Sequence, residues 1–255
     1  MPVAHLNDVR LYYELHGAAD AEPLVLICGL GLDISEITSI VDALATGYRV
    51  LAFDNRGAGR SDKPNVPYTI DMMAADTAGV MRAAGVPRAT VLGMSLGGRI
   101  ALALALAEPT MVSQLILVST GPRVRHSWRR RLIGLAARLP VGRSAHPQPS
   151  YAFRRQHAAS DTYDATDRLG EITVPALILH GRNDKTAPLA IAEDMASRLP
   201  NATLRTFPGG HIFMFLGQRQ PFIDAVIGAR QSSGSGITSD PPPAATTRTD
   251  CPPDR

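Results

Sequence analysis

Val91-Leu92-Gly93-Met94-Ser95-Leu96-Gly97-Gly98 is the stretch whose reading decides the fold. An apolar run stops at a serine bracketed by glycines and resumes as the apolar segment Arg99-Ile100-Ala101-Leu102-Ala103. A G-x-S-x-G segment between a buried strand and a helix is what a sharp strand-to-helix turn requires, and such a turn lifts the serine hydroxyl clear of the sheet. Gly93 and Gly97 stand two residues either side of Ser95, where a Cβ would collide as strand and helix fold back on each other. The pattern alone says only that a serine sits on a tight turn. Its chemistry depends on what the rest of the chain supplies.

Outward from this stretch, apolar runs alternate with helical spacing. Before it, Val9 to Leu15 alternates like a half-exposed strand, and Leu24-Val25-Leu26-Ile27-Cys28 is apolar throughout, the habit of a parallel strand buried on both faces. A glycine loop, Gly29-Leu30-Gly31-Leu32-Asp33, leads into a helix over Ile34 to Ala45, with Asp33 or Ser35 available as its cap. Tyr48 to Phe53 predicts a second buried strand, and Asp54 to Asp62 a glycine-punctuated loop. A helix over Ile70 to Ala84, the strand Thr90 to Met94, the helix Leu96 to Ala107 and a strand over Gln114 to Ser119 follow. This βαβ rhythm predicts right-handed crossovers and a mostly parallel central sheet with helices on both faces.

The rhythm breaks over residues 121–170, where ten arginines and the prolines Pro140, Pro147 and Pro149 predict a short Arg-rich helical cap rather than strands. It returns with the strand Ala176 to His180, a helix over Leu189 to Leu199, a strand over Thr203 to Phe207 and a helix over Pro221 to Ala229. Residues 1–120 and 171–230 thus form one core. Residues 231–255, with Ser-Ser-Gly-Ser-Gly and Asp-Pro-Pro-Pro, lack the apolar content for a packed core and are expected to be disordered.

A serine hydroxyl is a poor nucleophile at neutral pH and needs a base, itself oriented by a carboxylate. On this architecture the chain order is nucleophile, acid, histidine. Asp184, in Gly181-Arg182-Asn183-Asp184, and His211, in Pro208-Gly209-Gly210-His211, each follow a strand at its carboxyl end, where loops gather active-site groups. The oxyanion of an acyl-transfer intermediate needs two donors. The N–H of Leu96, first in its helix, and the N–H of Leu30, in the glycine loop, are the candidates. Leu32, Phe213 and Met214 could line an acyl pocket or equally belong to the core. His180 and Asp194 are rivals to His211 and Asp184, the first better read as local packing, the second as a helix residue. Asp54 and Arg56 read as structural ties of the Gly57 to Ser61 loop.

These segments together resemble the α/β-hydrolase superfamily, of the compact bacterial esterase and lactonase type. The resemblance rests on Gly29-Leu30-Gly31, Asp54-Asn55-Arg56-Gly57-Ala58-Gly59-Arg60-Ser61, Gly93 to Gly98, Gly181 to Asp184 and Gly209-Gly210-His211, and runs from about Val9 to Ala229. It implies an α/β-hydrolase fold and a serine hydrolase with Ser95, Asp184 and His211 as its triad, acting on a small or medium carboxylic ester without cofactor. Lactone, thioester, carbon–carbon bond and perhydrolase chemistry share that triad, and a ligand-binding receptor that keeps the pocket is the alternative of another class. Serine in place of aspartate argues against the carboxylate-nucleophile chemistry of haloalkane dehalogenases and epoxide hydrolases. Cys28 stands where many such relatives carry histidine.

Composition narrows the remaining classes. A net charge of +3 in 255 residues gives no case for a nucleic-acid partner. Two cysteines, Cys28 and Cys251, make no disulfide framework, no segment is apolar for a membrane's width, and the first residues carry no secretory pattern, so a cytoplasmic enzyme is expected. Contact of the basic cap with an acidic membrane surface is the weaker reading of its arginines, a solvated face the stronger. No His, Cys or carboxylate set stands at metal-ligand spacing.

Overall fold

The computed structural model describes residues 2–6, 8–124 and 145–232. Eight strands form one sheet: β1 (Val3–His5), β2 (Arg10–His16), β3 (Pro23–Ile27), β4 (Arg49–Phe53), β5 (Ala89–Met94), β6 (Val112–Val118), β7 (Ala176–Gly181) and β8 (Ala202–Phe207), in the order β1-β2-β4-β3-β5-β6-β7-β8. β1 and β2 pair antiparallel at one edge, and every pairing from β4 to β8 is parallel. Among the described residues the helices are α1 (Ile34–Leu44), α2 (Ile70–Ala83), α3 (Leu96–Ala107), α4 (Ser150–Thr162), α5 (Leu189–Arg198) and α6 (Arg219–Ser232).

The alternation of strand side chains divides the core in two. Val25, Ile27, Leu51, Phe53, Val91, Leu115 and Leu117 face one side, packed with Met73 of α2, Ile100 of α3 and Met195 of α5. Leu24, Leu26, Val50, Ala52, Leu92, Ile116 and Val118 face the other, packed with Ile37 and Val41 of α1 and Phe222 and Val226 of α6. Strands buried on both faces have no polar alternation, which is why these runs read as continuously apolar. Each fully buried Leu, Ile or Val contributes about 1.5–3 kcal/mol of transfer free energy.

Local sequence fixes the helix starts. Asp33 caps α1 through the Ser35 N–H at 2.9 Å, while Glu36 reaches back to the Asp33 N–H at 3.3 Å, a reciprocal capping box. Thr69 caps α2 through the Met72 N–H at 3.0 Å. Helix α3 has no side-chain cap, since its cap position is Ser95 itself.

Several element bounds differ from the sequence expectation by a residue or two, β3 beginning at Pro23 and β6 at Val112, and larger differences lie at the edge strand, the last helix and the cap. β1 was not anticipated, because only Ala4 of its three residues faces the core and three residues show no period. Helix α6 begins at Arg219, two residues before Pro221, and its backbone continues to Ser232, past the expected start of the tail. Within the expected cap, α4 and a 3-10 turn over Thr166–Glu171 are present, and Arg123 and Asp164 form an isolated antiparallel bridge. Residues 125–144 of that segment and 233–255 of the expected tail lie outside the described residues.

Candidate active site

Ser95 has φ 52° and ψ −108°, a conformation that costs a non-glycine residue about 1–3 kcal/mol and persists only where its surroundings hold it. Its N–H donates to the Val118 carbonyl at 2.9 Å, and its own carbonyl accepts from Thr120 Oγ1 at 2.7 Å and the Gly98 N–H at 3.1 Å. A Cβ on Gly93 would stand 2.3 Å from the Gly97 carbonyl oxygen, and one on Gly97 would stand 2.2 Å from that of Ile27. Both glycines therefore permit main-chain contacts that no other residue allows. The turn sits at the carboxyl end of β5, between the ends of β3 and β6.

Asp184 follows β7 and His211 follows β8, 27 residues apart in sequence and joined in space. Their loops meet main chain to main chain, with the Asn183 N–H donating to the Gly209 carbonyl at 2.9 Å. A Cβ on Gly181 would lie 2.3 Å from the Gly210 carbonyl oxygen, and Gly209 takes φ +110°, so glycine is needed at both. His211 Nδ1 lies 2.7 Å from Asp184 Oδ2, and His211 Nε2 lies 3.0 Å from Ser95 Oγ. An ionised carboxylate only accepts, so Nδ1 carries the proton and Nε2 is left as acceptor for the Ser95 hydroxyl. Asp184 Oδ1 accepts the N–H groups of Thr186 and Ala187, each at 2.8 Å. The Asp184 side chain is wholly buried while the His211 side chain is 22% exposed, so the imidazole is reached from outside and its carboxylate is not.

Leu96 opens α3, where an N–H has no intrahelical partner and the helix dipole favours negative charge. In the glycine loop the Leu32 N–H donates to the Gly29 carbonyl at 3.3 Å and the Gly31 N–H to Gln156 Oε1 at 3.3 Å, which leaves the Leu30 N–H without a protein acceptor among the described residues. The loop borders the serine: a Cβ built on Gly29 would lie 3.6 Å from Ser95 Cβ and 3.7 Å from Leu32 Cδ1.

Phe213 and Met214, offered above as pocket or core, are core. Phe213 is fully buried, stacked on Phe207 at 4.7 Å and edge-on to Phe222 at 6.1 Å, and Met214 belongs to the same cluster on the α1 and α6 face. The large apolar side chains left exposed after His211 are Ile212, Phe215 and Leu216.

Of the rivals, His180 lies beside Asp184, its Nε2 3.5 Å from Asp184 Oδ2 with both side chains fully buried, and Asp194 lies on α5. His180 is fully buried, with Nε2 2.7 Å from the Ala187 carbonyl, and burial pushes its pKa below the usual histidine value. Asp194 pairs with Arg198 along α5. Asp54 accepts the Ile34 N–H at 2.8 Å and the Arg60 N–H at 2.8 Å, so it ties α1 to the glycine-rich loop after β4, and burial raises its pKa. Arg56 is buried against Asp76, with Nη2 2.7 Å from Oδ1. Two residues of α4 that sequence reasoning passed over reach the glycine loop, Gln156 by hydrogen bond and Phe153 by its ring, whose Cε2 would stand 3.0 Å from a Cβ on Gly31. The signal was available. Ala152, Phe153, Gln156, Ala159 and Ser160 are the buried stripe of α4, and a glutamine in its middle needs polar partners.

The sequence profile of the alpha/beta hydrolase fold matches residues 22–149 and 123–218. The chain belongs to the α/β-hydrolase family and is an enzyme of it. It is 30% identical over 247 residues to a protein of Azorhizobium caulinodans named putative carbamate hydrolase RutD, covering 84% of this chain and 92% of the relative. It is 31% identical over 246 residues to a non-heme chloroperoxidase of Streptomyces lividans, covering 80% of this chain and 89% of the relative. Among solved structures, the enol-lactonase from Burkholderia xenovorans LB400 superposes with a TM-score of 0.82 at 24% identity, covering 91% of this chain and 100% of that one. Among the described residues no helix is long and apolar enough to cross a membrane.

Proposed function

We propose that this protein is a serine hydrolase that cleaves a small or medium carboxylic ester through an acyl-enzyme. The observation that carries the reading is the continuous relay from Ser95 Oγ to His211 Nε2 at 3.0 Å and from His211 Nδ1 to Asp184 Oδ2 at 2.7 Å, at the carboxyl ends of three parallel strands. In this reading Ser95 Oγ attacks the ester carbonyl while its proton passes to His211 Nε2. Asp184 holds the imidazole in the required tautomer and stabilises the imidazolium, its own position set by the Thr186 and Ala187 N–H groups. The N–H groups of Leu30 and Leu96 receive the developing oxyanion, the second reinforced by the dipole of α3. Collapse expels the alcohol, which takes the proton from His211, and water repeats the sequence to release the acid. The residues at the turn, Met94 and Leu96, are apolar, which suits an apolar group beside the scissile carbonyl. A cytoplasmic location is part of the same reading and rests on the cysteine usage described above.

The test is turnover of p-nitrophenyl acetate and butyrate by the wild type and by Ser95→Ala, together with labelling by a fluorophosphonate probe. Loss of both turnover and labelling in the variant is expected. Equal rates for the two proteins would remove the assignment. Because the relatives' names include a carbamate hydrolase and an enol-lactonase, a panel of esters, lactones, carbamates and thioesters then ranks the bond that is cleaved.

A further inference from the structure

We infer that Gln156 of α4 is a positioning residue that sets the oxyanion-binding loop, by strapping the loop after β3 to the loop after β4. The inference rests on the serine hydrolase reading above, with the Leu30 N–H as one oxyanion donor. The Gln156 side chain is buried, 1% exposed, and uses both ends of its amide: Oε1 accepts the Gly31 N–H at 3.3 Å, and Nε2 donates to the Arg56 carbonyl at 2.8 Å. The two partners lie 125 and 100 residues away in sequence, so no local structure would bring them to one side chain.

The far end of the strap is anchored. Arg56 is fixed by Asp76 in α2 at 2.7 Å and by Asp8 at 3.1 Å, and among these the Arg56 and Asp76 side chains are almost wholly buried. The near end is the glycine beside the donor. Gly31 has φ +77°, and the Phe153 ring of the same helix closes over it, so the loop is held by α4 through one polar and one apolar contact. With its N–H bonded to Gln156, Gly31 has no donor left for an oxyanion. Gln156 thus selects which of two successive N–H groups faces the oxyanion, and it selects Leu30. Without the strap Gly31 is free to rotate about its peptide planes, and the Leu30 N–H loses its fixed aim. An oxyanion donor works because it is aimed before the charge develops.

Gln156→Met keeps the length and bulk of the side chain and removes both hydrogen bonds. Loss of one oxyanion donor costs about 100- to 1,000-fold in kcat. A donor that is present but unaimed is expected to cost about 10- to 100-fold, with KM for p-nitrophenyl butyrate within about twofold of the wild type. A trifluoromethyl ketone, which forms a tetrahedral oxyanion on the serine, is expected to bind weaker by the same factor as kcat falls. The pH dependence of kcat is expected to keep its shape, because Ser95, His211 and Asp184 are untouched. A residue that merely supported the fold would lower the melting temperature without this matched loss in kcat and ketone affinity. Wild-type kcat in Gln156→Met, or a lowered kcat with unchanged ketone affinity, would overturn the inference. If Gln156→Met does not fold, Gln156→Glu carries the same measurements. It loses the donor to the Arg56 carbonyl and so breaks the strap at its anchored end, and wild-type kcat there overturns the inference equally. Ser95→Ala separates the two readings. If that variant retains wild-type turnover, the hydrolase reading itself fails; if it is inactive while both Gln156 variants are unaffected, only the strap fails.

Discussion

Gly97→Ala probes the turn that carries Ser95 through a clash whose size can be worked out. A Cβ at position 97 would stand 2.2 Å from the Ile27 carbonyl oxygen and 2.8 Å from that of Cys28. Bringing the first contact out to an ordinary separation of about 3.4 Å needs a relative movement of about 1.2 Å. The β3 side cannot give way easily, since Leu24 to Ile27 are fully buried and β3 is paired on both edges, to β4 and β5. The movement therefore falls on the start of α3, which carries Ser95 and the Leu96 N–H. Displaced by about 1 Å, Ser95 Oγ stands near 4 Å from His211 Nε2 instead of 3.0 Å, beyond hydrogen-bonding range. A misplacement of that size costs about 100-fold in rate, and overpacking of this kind about 1–3 kcal/mol in stability. For a chain of this length each kcal/mol lowers the melting temperature by about 2–4 °C. Steady-state turnover of p-nitrophenyl acetate and a thermal melt read the two effects together. A variant with wild-type kcat/KM and an unchanged melting temperature would refute both the clash and its consequence.

Three other outcomes follow from separate parts of the molecule. Gly228→Ala lies inside α6 with nothing within 4 Å of a built Cβ and no positive φ, so it is expected to raise stability by about 0.5–1 kcal/mol in a denaturant titration; a loss would contradict the open space there. Phe213→Ala removes a fully buried ring between Phe207 and Phe222 and is expected to cost about 3–5 kcal/mol, with selectivity between acetate and butyrate esters unchanged; altered selectivity at wild-type stability would return Phe213 to the substrate pocket. Burial lowers the His180 pKa from 6.5 against the opposing pull of Asp184, with His211 adding to the lowering. Below about pH 6.5 the unfolded chain therefore binds more protons at this residue than the folded one, and stability falls as pH drops towards the folded value. Melting temperatures between about pH 7.5 and 5.5 are expected to fall less steeply in His180→Gln than in the wild type, and equal slopes would refute the assignment.

How much of this was legible in the sequence depends on how local the physics is. β3 to β7 were readable because a parallel strand buried on both faces writes an unbroken apolar run, and α1 because helical spacing follows a capping candidate, Asp33; the partner Glu36 of its capping box was not singled out. The approach of Ser95, Asp184 and His211 to one another was foreshadowed by the glycines in their segments: Gly93, Gly97 and Gly181 stand where main chain approaches main chain, and Gly209 takes φ +110°. What escaped is what depends on distant partners. β1 exists because β2 pairs with it, Val3 opposite Tyr12. The core role of Phe213 comes from Phe207 and Phe222, and nothing within the segment Ile212 to Phe215 tells a core aromatic from a pocket one. Gln156 reads as one polar residue of a helix until Gly31 and Arg56 are placed at its two ends.

The two halves of the proposed site are held by different means, and the difference bears on which half can vary. Serine, acid and histidine stand on loops locked main chain to main chain: Cβ positions at Gly93, Gly97 and Gly181 all fall within 2.3 Å of a backbone oxygen. A side chain at any of the three forces main chain to move, so these positions fix geometry chiefly through the backbone. The glycine loop that carries Leu30 has no lock of that kind. The nearest neighbours of a Cβ at Gly29 are the Met94 carbonyl at 3.4 Å and Ser95 Cβ at 3.6 Å, which is ordinary packing. At Gly31 the neighbours are the side chains of Phe153 and Gln148. The loop carrying Leu30 is thus held by side chains of the segment containing α4, while the Ser95 turn, with the Leu96 N–H, and the Asp184 and His211 loops are held by the sheet. On the proposed function, substitutions in α4 are therefore expected to alter how well the oxyanion is received while leaving the proton relay intact.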